Sequence, residues 1–423
     1  MLNELGSSLY RDSLQDEFKY KLNQGNFNEL NEDYEKYEKL LYSSWKIAFK
    51  SISKKSYQIN FLSEEMINII DRFVFSSNKE NLARITSVLK YMGKQAPILK
   101  ERNTVPPSDI NQRLSEINEF IISLKDSQDQ IQNPLQVSIK SYPVGSIILA
   151  ETKEFYRGIL SIYTLYQKSL PRADLVLFCH SSTSWTELNR FIKRCILNPK
   201  HEIYTLVHPE ELRLENQLNF DSKLNRLALR ENSICLAIVT TDCKSKLVSS
   251  LTYNTLFEKE KIQNFMMLND EQILSIMKNL SQNILVVTSA YVGLGKTDFI
   301  ETEAKNKKIP LCEVDISATY DTSGLTNRIQ SVLKQGPALY KFNLNYLLDP
   351  EHFHELIFAI KIFKVVYNEQ SIIAIPDDSF VYIEVANTFK NKLYLSVPFL
   401  KFLNTEDIKV FSIEKVRISH KLT

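Results

Sequence analysis

Residues 283–308 read NILVVTS-AYVGLGKT-DFIETEAKNKK: an apolar run, a short loop holding two glycines, a lysine and a threonine, and then an amphipathic run. A glycine-bearing loop that opens a helix directs backbone N–H groups at an anion, and the positive end of the helix dipole adds to the attraction. A lysine after the second glycine has the reach and charge for the outer phosphates of a nucleotide, and the hydroxyl beside it is of the kind that meets Mg²⁺. Ala290, Tyr291, Val292, Gly293, Leu294, Gly295, Lys296 and Thr297 therefore form a candidate nucleotide-binding loop, with Thr297 as the candidate Mg²⁺ ligand. The chain has only nine glycines, and two of them stand in these eight residues. Ala290 stands where a first glycine is usual, and alanine resists backbone conformations that glycine permits. The competing reading is a chance Gly-Lys-Thr in a turn.

Hydrolysis of a bound nucleotide asks for more: an acidic residue closing a neighbouring strand to order Mg²⁺, and a second acid to polarise water. The run ALYKFNLN (338–345) offers Asn343 and Leu344 at those places. An amide lacks the charge and leucine cannot act as a base. Glu384, in VYIEV, is the fallback carboxylate, with an exposed or capped glutamate near a sheet edge as the alternative. Two further groups invite inspection. In Glu351-His352-Phe353-His354-Glu355 the two histidines are two positions apart, so they do not share a helix face; a solvated face is expected. His180-Ser181-Ser182-Thr183 follows an apolar run without a partner carboxylate in sight, and helix capping is its expected role.

These residues need elements to hold them. Residues 28–126 show helical periodicity, with Ser63, Glu64 and Glu65 as a helix start. From residue 142, the apolar runs 146–150, 174–180, 202–208 and 233–240 alternate with amphipathic stretches, the pattern of a parallel sheet covered on both faces. None of the turns in this block is rich in glycine. After a helix at 269–281, the alternation resumes: strands at 283–289, 309–317, 338–345, 379–385 and 392–397, with helices at 298–308, 322–334 and 350–368. The expected fold class is α/β: a parallel-sheet P-loop core at 269–423, preceded by an α/β block without a phosphate loop at 142–268, a linker at 127–141 and a helical region at 1–126.

Composition bounds the rest. At roughly 150 residues per domain, 423 residues suggest two to three domains. Fifty-two basic against fifty acidic residues give a net charge of +2, too balanced for a general nucleic-acid binder. Five scattered cysteines fit a reducing compartment, which points to a cytoplasmic protein, and no apolar run approaches the roughly 18 residues of a transmembrane segment.

The succession LPRADLVLFCHSSTSWTELNRFIKRC, HEIYTLVHPEELRLENQ, ENSICLAIVTT, AYVGLGKT, IPLCEVDI and SFVYIEV resembles the AAA+ region of the mysterin family, giant dynein-like ring-finger ubiquitin ligases. SSWKIAFKSISKKSYQINFLSEEM is similar to the helical stretch that precedes it there. The resemblance implies an ATP-binding AAA+ module, with Lys296 on the outer phosphates, Thr297 on Mg²⁺, and other AAA+ units of a ring as partners. It implies a ubiquitin-transferring parent whose ligase centre lies outside this chain. Asn343 at the Walker B position implies weak or absent hydrolysis, and the core ends without a helical lid. The alternatives are a nucleotide-insensitive scaffold that keeps a degenerate AAA+ fold, and a P-loop kinase or GTPase, for which no NKxD-type base-recognition motif is present.

Overall fold

The computed structural model describes residues 58–75, 82–95, 110–125, 146–149, 153–197, 202–228, 235–242, 244–252, 266–280, 283–289, 295–315, 337–344, 350–367 and 372–408, with single positions 47, 49 and 51. The chain divides into two compact units, one of residues 1–127, 186–200 and 369–371, the other of residues 128–185, 201–368 and 372–423. The helix expected at 322–334 lies outside the described residues.

The first unit is helical: α1 (Glu64–Phe75), α2 (Leu82–Tyr91) and α3 (Ile110–Ser123). Ser63 starts α1, its hydroxyl accepting from the Met66 N–H at 3.3 Å. Buried Ile67, Ile70, Ile85, Leu89, Leu114, Ile117 and Ile121 recur at three- and four-residue spacing, which turns one face of each helix inward. Among them lies a charge pair. Arg113 grips Asp71 through two hydrogen bonds, of 2.6 and 2.7 Å. Burial lifts the Asp71 pKa above its usual value against the pull of Arg113. Helix α4, of the second unit, is Phe155–Ser161, continued by a wider turn at Ile162–Gln167. Helix α5 (Trp185–Leu197) belongs mostly to the first unit, where Arg190 and Arg194 donate to the carbonyls of Leu62 and Asn60.

The second unit holds two parallel sheets. Strands β1 (Ser146–Leu149), β2 (Val176–Phe178), β3 (Tyr204–Val207) and β4 (Leu236–Thr240) lie in the order β1-β4-β3-β2. β2, β3 and β4 are buried throughout, as strands covered on both faces must be. Helices α6 (Leu214–Ala228), α7 (Lys246–Thr252) and α8 (Asp270–Lys278) follow, the last opened by a reciprocal pair of hydrogen bonds between Asn269 and Gln272.

The second sheet is built from β5 (Ile284–Ser289), β6 (Leu311–Asp315), β7 (Leu339–Leu344), β10 (Phe380–Ala386) and β11 (Asn404–Ile408), in the order β11-β5-β10-β7-β6. β8 (Val365–Tyr367) and β9 (Ile372–Ala374) form a separate antiparallel pair. Its helices are α9 (Lys296–Lys307), α10 (Pro350–Phe358) and α11 (Asn387–Ser396). Counted in chain order, both sheets place the first strand beside the fourth, then the third, then the second; the second sheet adds a fifth strand outside its first. Phe155 and Tyr156 of α4 meet His354 and Phe358 of α10 and Phe399, ring centroids 4.6 to 6.0 Å apart, so one aromatic core serves both sheets.

Two expected elements differ. Residues 392–397 read as a strand by alternation, but only Leu393 and Val397, four apart, are buried, and Val397 N–H donates to the Leu393 carbonyl: the segment is the end of α11 and its exit. The helix expected at 350–368 is α10 with a wide turn through Phe363. Lys364, at φ 53°, breaks it, and the β-branched pair Val365-Val366 enters β8.

Replacing Arg113 by Ala leaves the Asp71 carboxylate buried without its partner and is expected to destabilise the first unit by about 3–5 kcal/mol, read from chemical denaturation of the full chain. The double variant Asp71→Leu/Arg113→Leu is expected to recover most of that loss.

Candidate functional site

The connection from β5 leads through α9 toward β6, whereas the connection from the adjacent β10 leads through α11 to β11 on the other side of β5. Neighbouring strands whose connections diverge leave a crevice at their carboxyl ends, the usual ligand position of open α/β sheets. Gly295, Lys296 and Thr297 stand there.

Gly295 has φ 79° and ψ 18°, a left-handed conformation that favours glycine, and a Cβ added to it would meet nothing within 4 Å. It occupies the cap position of this 12-residue helix and, lacking a side chain, offers no acceptor of its own to the first-turn N–H groups. Lys296 is buried, only 5% exposed, and its Nζ donates to the Ser289 hydroxyl at 3.0 Å. No carboxylate faces that ammonium among the described residues. Thr297 Oγ1 donates to the Glu384 carboxylate, 3.1 and 3.3 Å from its two oxygens. Below, α9 closes on the sheet by packing Ile300 and Ala304 against Val287, Leu339 and Tyr382.

Glu384 is not at a sheet edge. β10 lies between β5 and β7, and in that register Glu384 pairs with Asn343 of β7. The structure thus brings the two candidate residues side by side and sets Thr297 against the fallback acid. Asn343 Oδ1 is buried without a hydrogen-bond partner among the described residues. Ala290, Tyr291, Val292, Gly293 and Leu294 lie outside the described residues. One member of the site was missed in the sequence: Lys341, buried in β7, with Nζ 3.4 Å from Glu384 Oε2 and 3.3 Å from Glu313 Oε1. A lysine in the middle of a strand that is otherwise apolar but for Asn343 is the signal.

The first sheet carries a second cluster of titratable groups at its carboxyl end. His180, after β2, makes a 3.0 Å ion pair through Nε2 with Glu355 of α10. Glu211 stands 3.8 Å from Nδ1, acting as a charge and not as an acceptor. The His352 ring stacks on His180 at 4.3 Å. Two expectations are corrected here. His180 has partner carboxylates, brought from far along the chain by α10, and its backbone N–H donates to Thr183 Oγ1 at 2.9 Å. The 351–355 segment is not a solvated face, since His354 and Glu355 are buried against the aromatic core. Burial alone would lower the His180 pKa, but Glu355 and Glu211 outweigh it and hold it up at about 10. His354 behaves oppositely: burial, with His208 nearby, pushes it down to about 3, so its imidazole stays neutral.

Comparison with known proteins bears on the first sheet. Residues 145–262 match the RNF213 AAA domain. The match covers β1–β4 with their helices, less than half of the chain, and ends before β5. It supports an RNF213-like, mysterin-type AAA region there. No curated protein matches the chain. The crystal structure of NtrX from Brucella abortus is similar over 63% of this chain and 67% of that chain, at 9% identity and a TM-score of 0.22, too loose a likeness to bear on the fold. No described helix is long and apolar enough to cross a membrane.

The His180 pKa is raised by folding from 6.5, so its ion pair contributes stability that is fully present below pH 6.5 and is lost as pH rises through about 10. The melting temperature of wild type is expected to exceed that of His180→Gln most below pH 6.5, with the gap closing toward pH 10; a gap independent of pH would contradict the ion pair.

Proposed function

We propose that this chain is an ATP-binding AAA+ module of a mysterin-like protein, with weak or absent hydrolysis. The observation that carries the reading is Lys296, a buried ammonium at the amino end of α9 whose bonded partner is a hydroxyl. Taking a charge out of water without a counter-charge is costly, and an anionic ligand at this turn would offset it. The first-turn N–H groups of α9, which Gly295 does not cap, and the open space over Gly295 suit a phosphate. Residues 290–297 form the nucleotide-binding loop of this proposal, Lys296 meeting the outer phosphates and Thr297 standing where a Mg²⁺ ligand is expected. The RNF213 AAA domain match on the preceding sheet, and the strand order that the two sheets share, support the AAA assignment.

Slow turnover follows from the acids. Asn343 and Leu344 close β7 without a carboxylate, and Glu384 is engaged by Thr297 and Lys341. A carboxylate already bonded to the Thr297 hydroxyl and to Lys341 is not free to orient an attacking water. The module is placed in the cytoplasm, with other AAA+ units of a ring as its partners and no nucleic acid, and ubiquitin transfer is assigned to another part of the parent. The division proposed for the chain is 1–126, 127–141, 142–268 and 269–423. A second reading, an interaction scaffold that no longer answers to nucleotide, draws on the Thr297–Glu384–Lys341 contacts, which close the site on itself.

ATP at 100 times its dissociation constant is expected to stabilise the wild-type chain by roughly 2.7 kcal/mol and to leave Lys296→Ala unshifted. Equal thermal shifts in the two proteins would refute the site; no shift in either would favour the scaffold.

A further inference from the structure

Lys341 is only 3% exposed, and fully buried lysines are rare unless paired. Its position is set by β7: it pairs in register with Tyr382, while Asn343 two positions on pairs with Glu384. Lys341, Asn343, Tyr382 and Glu384 therefore share one face of the sheet, the face that α9 covers through Tyr382. To reach Glu384 Oε2 at 3.4 Å, the Lys341 side chain runs diagonally toward the carboxyl end of the sheet. There the same carboxylate oxygen accepts from Thr297 Oγ1 at 3.1 Å. An ammonium, a carboxylate and a threonine hydroxyl thus meet beside the first turn of α9.

A Mg²⁺ ion fits this arrangement poorly. Magnesium demands near-octahedral oxygen ligands and is held by one or two carboxylates together with the phosphates of its nucleotide. Glu384 is the carboxylate bonded to Thr297, and it shares with Glu313 the fixed ammonium of Lys341; Asn343 beside it is uncharged. A divalent ion admitted between Thr297 and Glu384 would share one carboxylate with Lys341 at close range, where repulsion in a partly buried site is strong.

Resting on the nucleotide-binding reading above, we infer that Lys341 is the cation of this site: nucleoside triphosphate is held between Lys296 and Lys341 without a divalent metal, with Glu384 and Glu313 orienting the Lys341 ammonium.

The test is equilibrium binding of a fluorescent ATP analogue to the full chain, in excess EDTA and in millimolar Mg²⁺, for wild type, Lys341→Met and Lys296→Ala. Wild-type dissociation constants are expected to agree within about threefold between the two conditions, while Lys341→Met binds at least about tenfold more weakly in EDTA and recovers with Mg²⁺. A wild type that loses about tenfold or more in EDTA, or a Lys341→Met protein whose EDTA-to-Mg²⁺ ratio equals that of wild type, overturns the inference. The wild-type ratio decides the matter if Lys341→Met does not fold. Metal-dependent wild-type binding that Lys296→Ala abolishes refutes the role of Lys341 alone. Binding that Lys296→Ala leaves intact, or no wild-type binding in either condition, refutes the nucleotide site and this inference together.

Discussion

Lys296 is a positive charge that the fold has removed from water without bringing a carboxylate to it among the described residues. The elements around it depend on that arrangement. β5 must end in a hydroxyl, Ser289, to give the ammonium an acceptor. The helix must begin on a residue that tolerates a left-handed turn, so that its amino end faces the crevice and not a side-chain cap. The sheet must diverge at β5 and β10, so that the crevice opens at the carboxyl ends. Packing of Ile300 and Ala304 on Val287, Leu339 and Tyr382 then fixes α9 over that crevice.

The two parallel sheets repeat one strand order but put different chemistry at their carboxyl ends. The second has a glycine-opened helix and two buried lysines. The first has histidines and glutamates, knitted to α10 by the His180–Glu355 pair and walled by the aromatic core. The first sheet carries the match to the RNF213 AAA domain, and its carboxyl end is joined to α10 of the second sheet.

Much of the fold was legible because buried parallel strands are short, apolar and bounded by polar residues, a local property of the chain. The strands at 284–289, 311–315 and 339–344 fell inside the segments expected from their apolar runs. What escaped was set by non-local competition. The 392–397 run alternates like a strand, yet it finishes a helix; β11, mostly exposed and polar, carries no apolar signal and exists through its pairing with β5. The site divided in the same way. Lys296 and Thr297 stand out as candidates from spacing, because the residues of the proposed loop are contiguous in sequence. Lys341 reaches Glu384 and Glu355 reaches His180 only through the strand register and the placement of α10, neither of which a single sequence displays.

Hydrogen–deuterium exchange of the full chain, with and without ATP, locates the nucleotide without a mutation. Slowed exchange at residues 290–299, through the loop and the first turn of α9, and at the end of β5 is the result expected if the loop, the Lys296 ammonium and the amino end of the helix hold the phosphates. Protection at the carboxyl ends of β2 and β3, or no change anywhere at saturating ATP, would contradict it.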